Sequence, residues 1–240
     1  MRTERAPRFI GLSAAIILSV VGHEVRAAAP ETVTTCGQVV AQAGILAADL
    51  DCSSETGPAV VLQRGARLGL AGFTITGSDG GVLCAGPSCK IFGPGTIRRT
   101  VADPNTESYG IWGQQGTRVQ DGVILENWRR GFLALGNAKL IDVSISGSVI
   151  GANGAPLRVQ GSTFTNNDFA VYGTEGTKDS GLHYTFWACR VRESTFTGND
   201  IDISCYRAPR VTDTTCTTSW HTTIPETPFS GGDEWGVCGG

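Results

Sequence analysis

Two stretches decide the reading: Arg158-Val159-Gln160-Gly161-Ser162-Thr163-Phe164-Thr165-Asn166-Asn167 and Arg190-Val191-Arg192-Glu193-Ser194-Thr195-Phe196-Thr197-Gly198-Asn199. They align without a gap. Each opens on arginine and valine, passes through Ser-Thr-Phe-Thr and ends on asparagine. Arg118-Val119-Gln120-Asp121-Gly122-Val123-Ile124-Leu125-Glu126-Asn127 is a third copy, and weaker ones begin at Arg67, Lys90, Lys139 and Arg210. Internal repetition with a period of about 20–50 residues marks a stacked architecture.

The copies form columns. A first apolar column runs Leu68, Ile91, Val119, Leu140, Val159, Val191, Val211, and a second runs Ile75, Ile97, Ile124, Ile145, Phe164, Phe196, Cys216. Past the second column comes a small polar residue: Asn127, Ser148, Asn167, Asn199, Ser219. Another short apolar stretch precedes each copy, as at Val60-Val61, Phe132-Leu133 and Ala170-Val171. No stretch carries a helical period, and Val, Ile, Thr and Phe favour strands. Three short strands cannot bury an apolar side alone, but coils stacked in parallel can. The polar column fits a turn in which stacked side chains hydrogen-bond along the pile. The Leu-x-x-Leu-x-Leu frame of a leucine-rich repeat is absent, as is a strict hexapeptide period. A β-sandwich stays open, since short strands between turns also build one.

These repeats, the Asn/Ser column and the opening Cys36-Gly37-Gln38 … Ala48-Asp49-Leu50-Asp51-Cys52 carry a resemblance. Over about residues 34–220 the chain resembles the right-handed parallel β-helix proteins of the pectin-lyase-like superfamily, in their short bacterial secreted form. The resemblance implies an all-β fold, a single right-handed parallel β-helix of about seven to eight coils. Activity is another matter, because one fold hosts many functions. The Asn-Thr-Asp, Asp-Asp and His-Gly signatures of polygalacturonases are missing. Where pectate lyases carry Trp-x-Asp-His, this chain reads Trp187-Ala188-Cys189-Arg190.

Composition agrees with many turns and short strands. Among 240 residues there are 33 glycines, and only 17% are charged, with a net charge of −3. That balance argues against nucleic acid as partner, and 40% hydrophobic residues argue against disorder. Residues 1–27 read as a secretory signal: Arg2, Arg5 and Arg8, then an apolar run from Ile10 to Val21, then a small-residue cut after Ala27. An anchoring helix is the rival, but a span needs ~20 apolar residues. Domains are therefore expected at 1–27 (signal), 28–220 (β-helix with N-terminal cap) and 221–240 (C-terminal tail). A secreted or periplasmic monomer follows, with no membrane contact after cleavage.

Eight cysteines in an exported chain read as disulfides. Cys36–Cys52 and Cys216–Cys238 are expected as end caps. Cys84 and Cys89 are close enough for a local loop, and Cys189 and Cys205 fall on neighbouring coils. Zinc is the weaker alternative because no Cys-x-x-Cys pair exists. No metal and no cofactor are expected.

One column holds chemistry. The residue before the first apolar column is basic in every copy: Arg67, Lys90, Arg118, Lys139, Arg158, Arg190, Arg210. Alternation turns these side chains outward. One reading is a solvated stripe neutralised by Asp121, Asp142, Glu193 and Asp213. The other is a groove for an acidic polysaccharide, since guanidinium groups take carboxylates bidentately. Arg118, Lys139, Arg158, Arg190, Arg210 and Trp187 are the expected ligand contacts. A long insertion, Gly173 to Trp187, brings His183, Tyr184, Phe186 and Trp187 beside the stripe. If the chain is a lyase, hydrolase or epimerase of uronate glycans, the candidate catalytic set is His183, Tyr184, Arg190 and Arg192. Otherwise the protein binds glycan, or serves as a structural module at the surface, without chemistry.

Overall fold

The computed structural model describes residues 29–100, 105–154, 156–173, 176–177, 184–185, 188–205, 207–221 and 233–234. The expected signal, residues 1–27, lies outside them. The described chain is all-β and winds as a parallel β-helix. A nine-stranded face runs from Glu31–Val33 to Arg207–Thr212, a seven-stranded face from Leu50–Cys52 to Thr195–Thr197, and a ten-stranded face from Gln38–Val40 to Asp233–Glu234. Each complete coil visits the nine-, seven- and ten-stranded faces in turn, as in Leu157–Gln160, Thr163–Thr165 and Phe169–Gly173. Seven coils are complete, one for each strand of the seven-stranded face. The last strand, Asp233–Glu234, reverses direction and pairs antiparallel with Ser219–His221.

The register follows the first apolar column residue for residue. Leu68 pairs with Ile91, Ile91 with Val119, Val119 with Leu140, Leu140 with Val159, Val159 with Val191, and Val191 with Val211. From Leu68 to Val191 these side chains are buried, each contributing about 1.5–3 kcal/mol through burial. The second column holds with one correction. Ile97 pairs with Leu125, not with Ile124; Leu125 is buried and Ile124 half-exposed. The corner of that coil is one residue longer than in its successors, and a one-residue slip exchanges the inside and outside of a strand.

Backbone conformation explains the corner residues. Asp121, Asp142, Gly161, Glu193 and Asp213 all have φ between 50° and 65°. That left-handed region favours Gly, Asp and Asn. The acids of the repeat therefore mark a corner. The next corner places Asn127, Gly147, Asn166 and Gly198 in the same region. One residue further stands the polar ladder. The Asn199 Oδ1 accepts from the Asn167 backbone N–H and from Asn167 Nδ2, each at 2.9 Å. Asn167 Oδ1 accepts from the Ser148 N–H at 3.0 Å, and Asn167 Nδ2 also donates to the Ile145 carbonyl at 3.2 Å. Trp128 takes the ladder position in its own coil, where Nε1–H donates to the Ile97 carbonyl at 3.1 Å. Asn127 stands one place before it, so the ladder assignment moves from Asn127 to Trp128.

Cys36–Cys52 and Cys189–Cys205 are disulfides, each closing 16 residues of sequence. Both fit an oxidising compartment. Cys216 is disulfide-bonded, while its expected partner Cys238 lies outside the described residues. Cys84 and Cys89 correct the expected local loop: both are buried free thiols. The Cys89 thiol is engaged by the Gly86 carbonyl oxygen at 3.3 Å. The Cys84 thiol is held protonated by its hydrogen bond to Cys89 and by burial.

Candidate functional site

The three faces differ in what they turn outward. The seven-stranded face presents hydroxyls, with Ser144, Thr163 and Thr195 in register. The ten-stranded face presents an apolar row, Val61, Leu83 and Trp112, with the buried Leu133 next in register. Charge collects on the nine-stranded face. There Arg67 pairs in register with Lys90, Lys90 with Arg118, Arg118 with Lys139, Lys139 with Arg158, Arg158 with Arg190, and Arg190 with Arg210. Coils stack at ~4.8 Å, so the seven cations form a line on the order of 29 Å long. Arg118 is half-buried and the other six are exposed.

No corner acid stands within ion-pair distance of this line among the described residues. Among the described residues the ion pairs are Arg129 and Arg130 with Glu107, on another face, and none includes a stripe cation. Two of the acids are held by glutamines instead: Gln120 Nε2 donates to Asp121 at 2.7 Å, and Gln160 Nε2 to Glu193 at 3.2 Å. The left-handed corner turns the acids off the strand, one residue beyond its outward row. The Arg118 Nε is buried without an acceptor, which leaves a charged donor unsatisfied at the third position of the line.

Two concavities open along the stripe. One, of about 370 Å³, is lined by Lys139, Arg158, Gln160, Arg190, Arg192 and Arg210 with neighbouring apolar residues. The other, of about 550 Å³, is lined by Ser88, Lys90, Arg118, Asn137, Lys139 and Arg158 among others. They share Lys139 and Arg158, so they form one trough. A second outward row floors its side: Phe92, Gln120, Ile141, Gln160, Arg192 and Thr212, also in register. Sequence reasoning missed this row, although it lies two residues after each basic position and alternation points both the same way.

The structure thus brings Arg118, Lys139, Arg158, Arg190 and Arg210 into one line, with Arg192 beside Arg190 on the strand Ala188–Arg192. Tyr184 belongs by its backbone to Tyr184–Thr185, which pairs antiparallel with Gly176–Thr177. His183, Phe186 and Trp187 lie outside the described residues. Among the described residues no group of His, Cys, Asp or Glu could hold a metal ion, and the lining of the first concavity contains no carboxylate and no histidine. Its chemistry is that of hydrogen-bond donors and positive charge. Comparison with known proteins returns no match: no family model, no curated protein and no solved structure aligns significantly with the chain.

Proposed function

We propose that this chain is an exported β-helix protein of pectin-lyase-like type that binds acidic polysaccharide along its nine-stranded face. The observation that carries the reading is the in-register line of seven cations without an ion pair among the described residues. A row of like charges at ~4.8 Å spacing is self-repelling. A polymer bearing carboxylates at sugar-scale intervals relieves that repulsion along its whole length. Guanidinium groups suit carboxylates because two parallel N–H groups meet two oxygens.

The test is retention on immobilised polygalacturonate, alginate and hyaluronan as salt is raised. At least one should retain the protein, with affinity falling as the Debye length shrinks from about 10 Å at 0.1 M to about 3 Å at 1 M. Replacing Arg158 and Arg190 together by alanine should weaken binding on the order of 2- to 30-fold, since exposed pairs contribute ~0.2–1 kcal/mol each. Salt-insensitive retention, or none, would sink the reading. Absorbance of unsaturated product in the same solutions would replace binding by lyase chemistry.

A further inference from the structure

The ten-stranded face carries a cluster that polyanion binding does not use. Tyr109 and Trp112 lie on the strand Tyr109–Gly113, with ring centroids 5.1 Å apart and planes tilted by 32°. Trp112 is 37% exposed, the one aromatic among the exposed large apolar residues described. It stands in register between Leu83 and Leu133. Tyr109 stands in register with Arg130, whose guanidinium carbon is 5.9 Å from the Tyr109 ring centre. Glu107 accepts a hydrogen bond from the Tyr109 hydroxyl and pairs with Arg129 and Arg130. The Arg129 backbone N–H donates to the Oγ of Ser108, a fully buried residue, at 3.1 Å.

Each part of this cluster is held by another part. The Arg130 guanidinium lies over the Tyr109 ring, and the Tyr109 ring lies against the Trp112 indole. Burial and then the Glu107 carboxylate push the Tyr109 phenol above its ordinary pKa. Amphipathic rings with a polar rim suit a partner that is apolar on one side and hydrogen-bonding on the other. A pyranose has that character: a C–H face for the indole, and hydroxyls for the rim. Glu107 lies between the two guanidinium groups, so the rim offers an acceptor beside donors, as a row of hydroxyls requires.

We propose that Tyr109 and Trp112 form a stacking platform for a neutral pyranose, with Glu107 accepting from and Arg130 donating to its hydroxyls. The platform lies on a different face from the cation line. The protein therefore holds a neutral glycan and an acidic one independently, and can tie the two together.

Affinity electrophoresis through gels containing soluble xylan, β-1,4-galactan or mixed-linkage β-glucan tests this. The full chain should be retarded by at least one polymer. Trp112→Ala should lower that affinity about tenfold, and Trp112→Phe, which keeps a ring, should retain part of it. A thermal melt of each variant checks that the fold is intact. The Arg158→Ala, Arg190→Ala double variant should be retarded as the parent is, which separates this site from the acidic-polymer site. Absence of retardation on all three gels, or equal retardation of Trp112→Ala, overturns the proposal.

Discussion

Single residues at the coil corners carry more backbone constraint than their exposure implies. Gly198 has φ of 66°, and a Cβ there would meet the Asn166 Oδ1 of the preceding coil at 2.5 Å. Asn166 is itself left-handed, as are Asn127 and Gly147 above it. A carboxamide in one coil thus overhangs a glycine in the next. Gly198→Ala should cost about 1–2 kcal/mol, the usual penalty of the left-handed region. Gly198→Asn should cost less, because asparagine tolerates that region. Urea unfolding of the two variants checks the order. Next to the ladder, Asp168 is held above its ordinary pKa by burial first and by the Asp200 carboxylate second. A carboxyl raised in the folded state binds its proton more tightly there than in the unfolded chain. Its contribution to stability therefore falls as pH rises from the unfolded value near ~3.9 through the raised one. Asp168→Asn should raise the melting temperature at pH 7 and leave it nearly unchanged at pH 3. An equal gain at both pH values would refute the electrostatic cause.

At the scale of the element, the ladder beneath the corner between the seven- and ten-stranded faces is where the coils lock. Asn199 passes its Nδ2 to Asp202 at 2.9 Å, and Asp202 Oδ2 accepts from the Thr217 and Thr218 backbone N–H groups. The chain of bonds thus ends on a buried carboxylate. Asn167→Ala should cost at least ~1–3 kcal/mol, because it strands the Ser148 N–H and the Ile145 carbonyl in a dry corner. Calorimetry should show this loss, whereas Thr163→Ala on the exposed face should be near neutral. The asparagines and serines of this ladder were legible from the repeat. Its Trp128 member was not, since indole and carboxamide share an N–H but no sequence resemblance. A second ladder, Ser162, Ser194 and Thr214, links the corner between the nine- and seven-stranded faces. It also escaped sequence reading, because Ser and Thr are common on exposed strands and nothing in their spacing says which hydroxyls are engaged internally.

For the whole molecule, stability is a sum of coil-to-coil contacts, so the ends govern where unfolding starts. Cys36–Cys52 sits in the first coil and Cys189–Cys205 in the last complete one. Closing a loop of about 15 residues contributes about 3 kcal/mol by restricting the unfolded chain. Replacing Cys189 and Cys205 by alanine should therefore fray the C-terminal coils first. Hydrogen exchange should show residues 188–221 losing protection while residues 117–173 keep theirs. Uniform loss across the chain would argue for a cooperative body instead.

The apolar columns and the line of cations are legible in the repeat, and they favour stacked parallel coils over a sandwich. A repeated coil must bury the same position each time, and alternation then assigns every neighbour to inside or outside. The tertiary structure alone decided three things. It chose Leu125 over Ile124, because corner length varies and a periodic pattern cannot report a slip of one residue. It left Cys84 and Cys89 as thiols, because pairing depends on where sulfurs meet in space. It also set the corner acids in a left-handed turn, where none pairs with Arg118, Lys139, Arg190 or Arg210 among the described residues. That turn is a matter of backbone torsion, which a periodic pattern of residue types does not report.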